Sequence, residues 1–211
     1  GPNGAGKTTL LDVITGNTRP KKGTVRLDGC IDLLLLDETQ IALKGVGRKF
    51  QKPSVFEALT VCENLEISIR LRPKSIVSEL NSWDDFERAN RVEKVLDEIG
   101  LTNEKHTPAS TLAHGKKQWL EIGMLLMQQP KLLMLDEPVA GMTEEETSKK
   151  AAPVRKLRSP ERSIMVIEHN MSFVETIADR VTVLHEGLPI FEGPMADARA
   201  NAQVRQVYLG R

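Results

Sequence analysis

The sequence predicts an α/β fold in which a mostly parallel sheet core carries an inserted helical region. Two short, wholly apolar runs at 132–135 and 164–167 have the length and composition of strands buried on both faces of a parallel sheet. From about 60 to 130, apolar residues instead recur at helical spacing. Strands that alternate with helices around such an interruption indicate one α/β domain over 1–211 with a helical subdomain at about 60–130.

The first elements follow from apolar spacing and turn residues. Apolar side chains within 10–14 give a helix one apolar face, and Gly16 is placed to end it. Residues 24–27 predict a short strand, whereas 31–44 fit a strand or a helix equally well. Residues 45–51 have the pattern of a strand that leads to Gln51.

The later elements are predicted in the same way. The apolar spacing over 92–99 predicts a helix, and another is expected over 116–129, where Pro130 stops it. The runs 181–184 and 188–191 predict a hairpin, with a short helical tail after it.

Composition disfavours several classes of protein. Lysine plus arginine and aspartate plus glutamate number 29 each, and aromatic residues make up 4% of the chain. Neither a strong positive field nor a base-stacking surface is therefore expected, which argues against a nucleic-acid partner. Two cysteines do not make a disulfide framework, and no apolar run approaches the length of a membrane span.

The first eight residues form a complete phosphate-binding motif, G-x-x-x-x-G-K-T, and are called the phosphate loop below. Its glycines allow backbone N–H groups to turn toward a triphosphate, and the following helix points its positive end at the same anion. Lys7 is placed to contact the β- and γ-phosphates, and the Thr8 hydroxyl to reach Mg²⁺. Because this motif usually follows a buried strand, we expect the N-terminal strands of the domain to be missing from this sequence.

Carboxylates follow the first apolar run, and a histidine follows the second. Asp136 is placed to hold Mg²⁺ through water, and Glu137 to act as general base toward the attacking water. His169 follows the second run and suits a contact to the γ-phosphate. Alone, the carboxylates also fit a solvated acidic turn, and the histidine fits a core or loop residue. Together with the phosphate loop, they favour nucleotide chemistry.

Residues 112–116, called the signature segment below, precede a long predicted helix. Gly115 and the helix N-terminus could form a small anion site, although the segment on its own is better explained as a simple helix start.

Taken in order, five features resemble those of the ATP-binding cassette family: residues 1–8, Gln51, residues 112–116, residues 132–138 and His169. The resemblance covers essentially the whole chain, and it implies the P-loop NTPase fold of a cassette ATPase that uses ATP and Mg²⁺.

The resemblance also implies roles for single residues. It implies Glu137 as the catalytic base, His169 as the switch histidine and Gln51 as the glutamine that senses the transmembrane partner. It implies Mg²⁺ contacts from Thr8, Gln51 and Asp136. The implied nucleotide contacts are Asn3, Gly4, Gly6, Lys7, Thr8 and Thr9 of the phosphate loop and Ala113, His114, Gly115 and Lys116 of the signature segment.

The family's architecture implies the partners. They are a second cassette subunit, identical or paralogous, two transmembrane permease subunits and, indirectly, a periplasmic solute-binding protein. The expected location is the cytoplasmic side of the inner membrane, where the chain would be peripheral.

The segments 47–53, 114–121 and 138–142 resemble the branched-chain amino-acid and amide importer branch, and most of all the subunit of urea importers. Urea is thus the first expected solute, and branched-chain amino acids or short amides are the alternatives. A non-catalytic module and a soluble cassette ATPase that acts on ribosomes or DNA are the alternatives of another class.

Four residues depart from the family pattern: Ala113, Lys116, Thr143 and Asn170. Ala113 lacks the usual serine hydroxyl, and loss of one such hydrogen bond costs about 0.5–1.5 kcal/mol. Thr143 with Glu146 could equally form a capping box at a helix start.

Overall fold

The computed structural model describes residues 1–49, 54–70, 85–139 and 144–209. Gln51 and Thr143 lie outside these ranges, so the predictions made for them stay predictions. The chain divides into two compact units. The first contains Gly1–Glu38, Asp136–Arg155 and Val166–Arg211, and the second contains Thr39–Leu135 and Lys156–Met165.

The described residues form nine α-helices and seven strands, and three of the helices follow one another between β3 and β4. The helices are α1 (Lys7–Thr15), α2 (Glu38–Leu43), α3 (Val61–Arg70), α4 (Asp85–Ile99), α5 (His114–Met127), α6 (Glu144–Lys156), α7 (Met171–Ile177), α8 (Met195–Ala200) and α9 (Ala202–Leu209). The strands are β1 (Arg26–Leu27), β2 (Ile31–Asp32), β3 (Val46–Lys49), β4 (Leu132–Asp136), β5 (Ser163–Ile167), β6 (Val181–His185) and β7 (Leu188–Gly193).

The largest sheet among the described residues has three strands in the order β3–β4–β5. β3 and β4 are parallel, with Val46 opposite Leu132. Ser163 donates its backbone N–H to Lys131 at one end of β4 and β5, and Glu137 donates to Ile167 at the other. These bonds join like ends of the two strands, so β4 and β5 are also parallel. The predicted α/β class with a parallel sheet is confirmed.

The two apolar runs differ in burial. Leu133, Met134 and Leu135 of β4 are completely buried, as predicted for a strand covered on both faces. The same prediction is wrong for most of β5, where only Ile167 is buried. β5 is the last of the three strands in the sheet order, so within the described residues only β4 pairs with it.

Several predicted boundaries change. The strand expected over 24–27 covers only Arg26–Leu27, because it pairs in a short antiparallel hairpin with β2. The ambiguous stretch 31–44 contains β2, a 3₁₀ turn and α2. The helix expected over 116–129 begins two residues earlier, at His114, and ends at Met127. Gly16 caps α1 with a φ of 87°, and the hairpin of β6 with β7 is antiparallel; both were predicted.

In the second unit, α5 packs against α3 and α4. Gly123 of α5 allows this close approach. A Cβ atom at this position would lie 2.6 Å from Ile99 Cδ1 and 3.0 Å from Leu65 Cδ2. The absence of a side chain thus lets the three helices share one core. None of the helices in the described ranges is long and apolar enough to cross a lipid bilayer.

Candidate functional site

The phosphate loop belongs to the first unit and has the backbone of an anion-binding turn. Gly4 and Gly6 adopt the left-handed region, with φ values of 78° and 93°. α1 begins at Lys7, and its first intrahelical bond runs from Leu10 N to Gly6 O at 3.0 Å. The free N–H groups of the first helical turn and the positive end of the helix dipole thus lie beside the loop, an arrangement that favours a phosphate.

The Lys7 ammonium lies against the same loop. Its Nζ donates to Gly1 O at 2.6 Å and to Pro2 O at 3.2 Å, and the side chain is half-buried. A phosphate placed in the loop would compete with these carbonyls for the ammonium. The hydroxyl-bearing residues Thr8 and Thr9 are exposed, as are Asn3 and Gly4.

The turn between β6 and β7 packs against the phosphate loop and forms a hydrogen bond with it. Gly187 N donates to Ala5 O at 3.1 Å, and Ala5 is buried. A Cβ on Gly1 would lie 2.0 Å from Leu184 O, so only glycine fits at this contact. This packing was not predicted, since nothing in the local sequence links 181–193 to residues 1–8.

The end of β4 presents two carboxylates with different surroundings. Asp136 is the last residue of the strand and is 4% exposed, whereas Glu137 is half-buried in the turn that follows. Glu137 has a φ of 49°, in the left-handed region, while its N–H donates to Ile167 O at 2.9 Å. That conformation costs a non-glycine residue about 1–2 kcal/mol.

His169 lies beside Glu137. Its Nδ1 is 3.6 Å from Glu137 Oε1, and its ring is 55% exposed. The structure therefore brings together two residues that the sequence predicted for the same site. The distance is longer than a hydrogen bond and leaves the imidazole open to a ligand.

Asn170 and Glu168 flank the histidine and have structural partners. Asn170, first noted as a departure from the family pattern, caps α7 by accepting Phe173 N at 3.0 Å. Glu168 was missed by the sequence analysis. It is buried, and its carboxylate accepts the N–H groups of Val139 at 3.1 Å and of His169 at 3.2 Å. The available signal was an acidic residue directly after an apolar strand.

The signature segment lies in the second unit. Ala113 is the N-cap residue of α5 and makes no side-chain cap bond, and both Ala113 and His114 are exposed. Lys116 forms an ion pair with Glu104. Replacing the usual Gln or Glu by lysine therefore gives this segment an ammonium with an intramolecular partner.

The described residues contain no group of three or more His, Cys, Asp or Glu placed to hold a metal ion. Two of the predicted Mg²⁺ ligands lie within the described residues: the hydroxyl of Thr8 and the carboxylate of Asp136. These are oxygen donors of the kind Mg²⁺ takes when phosphates and water complete its coordination. The donor set therefore fits Mg²⁺ brought with a nucleotide.

Comparison with known proteins agrees with this site. The ABC transporter family model matches residues 1–140. BraF of Pseudomonas aeruginosa and LivG of Escherichia coli K12, both high-affinity branched-chain amino acid transport ATP-binding proteins, are each 38% identical to the chain; the alignments cover 100% of the chain and 85% of each relative.

A solved ATP-binding cassette of an ABC transporter, in its ADP conformation, superposes with a TM-score of 0.80 at 28% identity. That alignment covers 100% of this chain and 85% of the other. The fold and the phosphate loop thus define an ATP-hydrolysing P-loop domain. The chain belongs to the ABC transporter family, whose ATPase domains couple hydrolysis to transport.

Proposed function

We propose that this chain is the ATP-hydrolysing subunit of an importer for branched-chain amino acids or short amides. The matching family and the names of the relatives support this role. The single observation that carries it is the grouping, in one unit, of the phosphate loop with Asp136, Glu137 and His169.

Each residue of this group has a separate task. Lys7 and the N-terminus of α1 bind the β- and γ-phosphates of ATP. Thr8 and, through water, Asp136 would hold Mg²⁺, which would supply positive charge to neutralise the phosphates. Glu137 accepts a proton from the attacking water, and His169 contacts the γ-phosphate, consistent with its exposed ring beside Glu137.

The proposed working form contains two cassette subunits and two permease subunits at the cytoplasmic face of the inner membrane. The signature segment of one subunit closes over the ATP held by the phosphate loop of the other. Gln51 communicates with the permease, and a periplasmic binding protein supplies the solute.

The hydrolysis experiment compares Glu137→Gln, Lys7→Ala and wild type. Glu137→Gln should bind ATP and lose turnover by about 100-fold or more, because the base is removed while the phosphate contacts remain. Lys7→Ala should lose ATP binding.

Glu192→Gln is a matched control: it neutralises an exposed glutamate on β7 and should leave turnover unchanged. Turnover that survives in Glu137→Gln would remove this residue from the base role. No ATP turnover above background in the wild type would favour a non-catalytic module.

Urea is the second candidate solute, favoured by the segments 47–53, 114–121 and 138–142. The names of the relatives favour the branched-chain alternative instead. Uptake of labelled leucine, acetamide and urea should be measured in cells that lack the gene and are complemented with wild type or Glu137→Gln. Leucine or acetamide uptake restored by wild type alone supports the proposal, whereas restoration of urea uptake alone selects the second candidate.

A further inference from the structure

We propose that Glu168 is a positioning residue that fixes the backbone of Glu137 and of His169 relative to each other for hydrolysis. This inference rests on the proposed roles of those two residues. Its carboxylate is buried between the turn that follows β4 and the turn that follows β5, with 7% of the residue exposed.

The first observation is that each carboxylate oxygen binds a different turn. Oε1 accepts the N–H of Val139 at 3.1 Å, and Oε2 accepts the N–H of His169 at 3.2 Å. A buried carboxylate is costly unless hydrogen bonds replace its water, and bonds to a charged acceptor are stronger than neutral ones. One side chain therefore joins the turn after β4 to the turn after β5 by hydrogen bonds.

The second observation is the strained backbone of Glu137. Its φ of 49° lies in the left-handed region, which a non-glycine residue keeps only when its surroundings fix it. On one side, its own N–H donates to Ile167 O at 2.9 Å. On the other side, the bond from Val139 to Glu168 fixes the chain two residues later. Glu168 thus constrains the chain on the C-terminal side of Glu137, in addition to the bond that Glu137 itself makes to Ile167.

The third observation concerns His169. Its backbone N–H is held by the same carboxylate, and the next residue, Asn170, is fixed because it caps α7. The ring then lies 3.6 Å from Glu137. Without Glu168, the bond from Glu137 to Ile167 still joins the two strand ends, but Val139 and His169 lose their shared acceptor. A displacement of about 1 Å near reacting groups can lower a rate about 100-fold.

The experiment compares Glu168→Ala and Glu168→Gln with wild type in steady-state ATP hydrolysis. For Glu168→Ala, we expect kcat to fall about tenfold or more while KM for ATP changes less than about twofold, because the phosphate loop is untouched. Glu168→Gln should be intermediate, since its amide oxygen can accept one of the two N–H groups and its NH₂ cannot accept the other.

A matched control removes a similar bond outside the proposed catalytic group. Asn201→Ala deletes a side-chain acceptor for Val204 N, at 3.1 Å, at the start of α9 in the same unit. It should lower the thermal midpoint and leave kcat within about twofold, as expected for a helix cap that contributes to stability alone. Amide hydrogen exchange should speed up at Val139 and His169 in Glu168→Ala and not in the control.

Three outcomes would overturn the inference: an unchanged kcat in both Glu168 variants, a rise in KM alone, or unchanged exchange at Val139 and His169. If Glu168→Ala does not fold, Glu168→Gln decides by the same criteria. Full turnover in Glu137→Gln would instead remove the base role on which this inference rests, and no turnover in wild type would overturn the proposed function, so the failures are distinguishable.

Discussion

At the scale of single residues, the two cysteines have different surroundings. Cys30 is exposed, whereas Cys62, in the first turn of α3, is half-buried. Burial, and then the charge of Glu66 one turn later, raises the pKa of the Cys62 thiol from 9.0 to about 11. Since the thiolate is the nucleophile, Cys62 is protected by its protonation state as well as by its position.

This difference predicts selective alkylation. With iodoacetamide at pH 8, Cys30 should react at least about tenfold faster than Cys62, because a raised pKa reduces the thiolate fraction tenfold per unit. Peptide mass spectrometry over a time course measures both rates. Glu66→Gln should accelerate Cys62 and leave Cys30 unchanged. Equal rates in the wild type would show that Cys62 does not have the described surroundings.

At the scale of elements, α3 begins with a capping box that the sequence analysis did not identify. Glu63 Oε2 accepts the Thr60 N–H at 2.7 Å, and Glu63 N donates to Thr60 Oγ1 at 3.2 Å. The Thr60 N–H, followed by the Thr60 hydroxyl, lowers the pKa of the Glu63 carboxyl from 4.5. The ionised side chain therefore stabilises the start of the helix.

The capping box predicts a pH-dependent difference in stability. A carboxyl with a lowered folded pKa stabilises the fold above its unfolded pKa, near 4.5, and this advantage is lost as pH falls through the lower folded value. Wild type should thus be more stable than Glu63→Gln at pH 7, and the two should converge at pH 3. Urea unfolding followed by circular dichroism measures this difference.

Glu161→Gln, at an exposed turn residue, is the control, and its stability difference from wild type should show no comparable dependence on pH. A constant difference at both pH values would exclude the carboxylate as its source.

At the scale of the whole molecule, the predicted nucleotide contacts are divided between the two units. The phosphate loop belongs to the first unit and the signature segment to the second. In the proposed pairing, each segment completes the site of another copy. A variant that binds ATP without hydrolysing it should therefore accumulate as the closed pair.

We predict that Glu137→Gln, at 23.5 kDa per chain, becomes a dimer when Mg-ATP is added. ATP would then join the two subunits and persist, since the proposed base is absent. Size-exclusion chromatography with light scattering measures the mass. Lys7→Ala is the control and should stay monomeric at every ATP concentration. A Glu137→Gln chain that binds ATP and remains monomeric would contradict a homodimeric pair and direct attention to a paralogous partner.

Much of the site could be predicted from the sequence because it depends on local patterns. The phosphate loop, the strand ending at Asp136 and the strand before His169 are each defined by a few consecutive residues. Local composition and spacing therefore sufficed to place two carboxylates and a histidine directly after strands, although not to predict how far β5 is buried. The role of Gln51 remains a prediction, because it lies outside the described residues.

Tertiary structure decided which of these segments meet. Only the parallel pairing of β4 with β5 brings Glu137 within 3.6 Å of His169, and only the same pairing allows Glu168 to bind Val139. The exposure of β5 likewise follows from its place in the sheet order rather than from its apolar composition. The sequence by itself determined the chemical groups and the local turns that carry them. Their distances depended on strand pairing, because contacts between distant segments leave no periodic pattern in the chain.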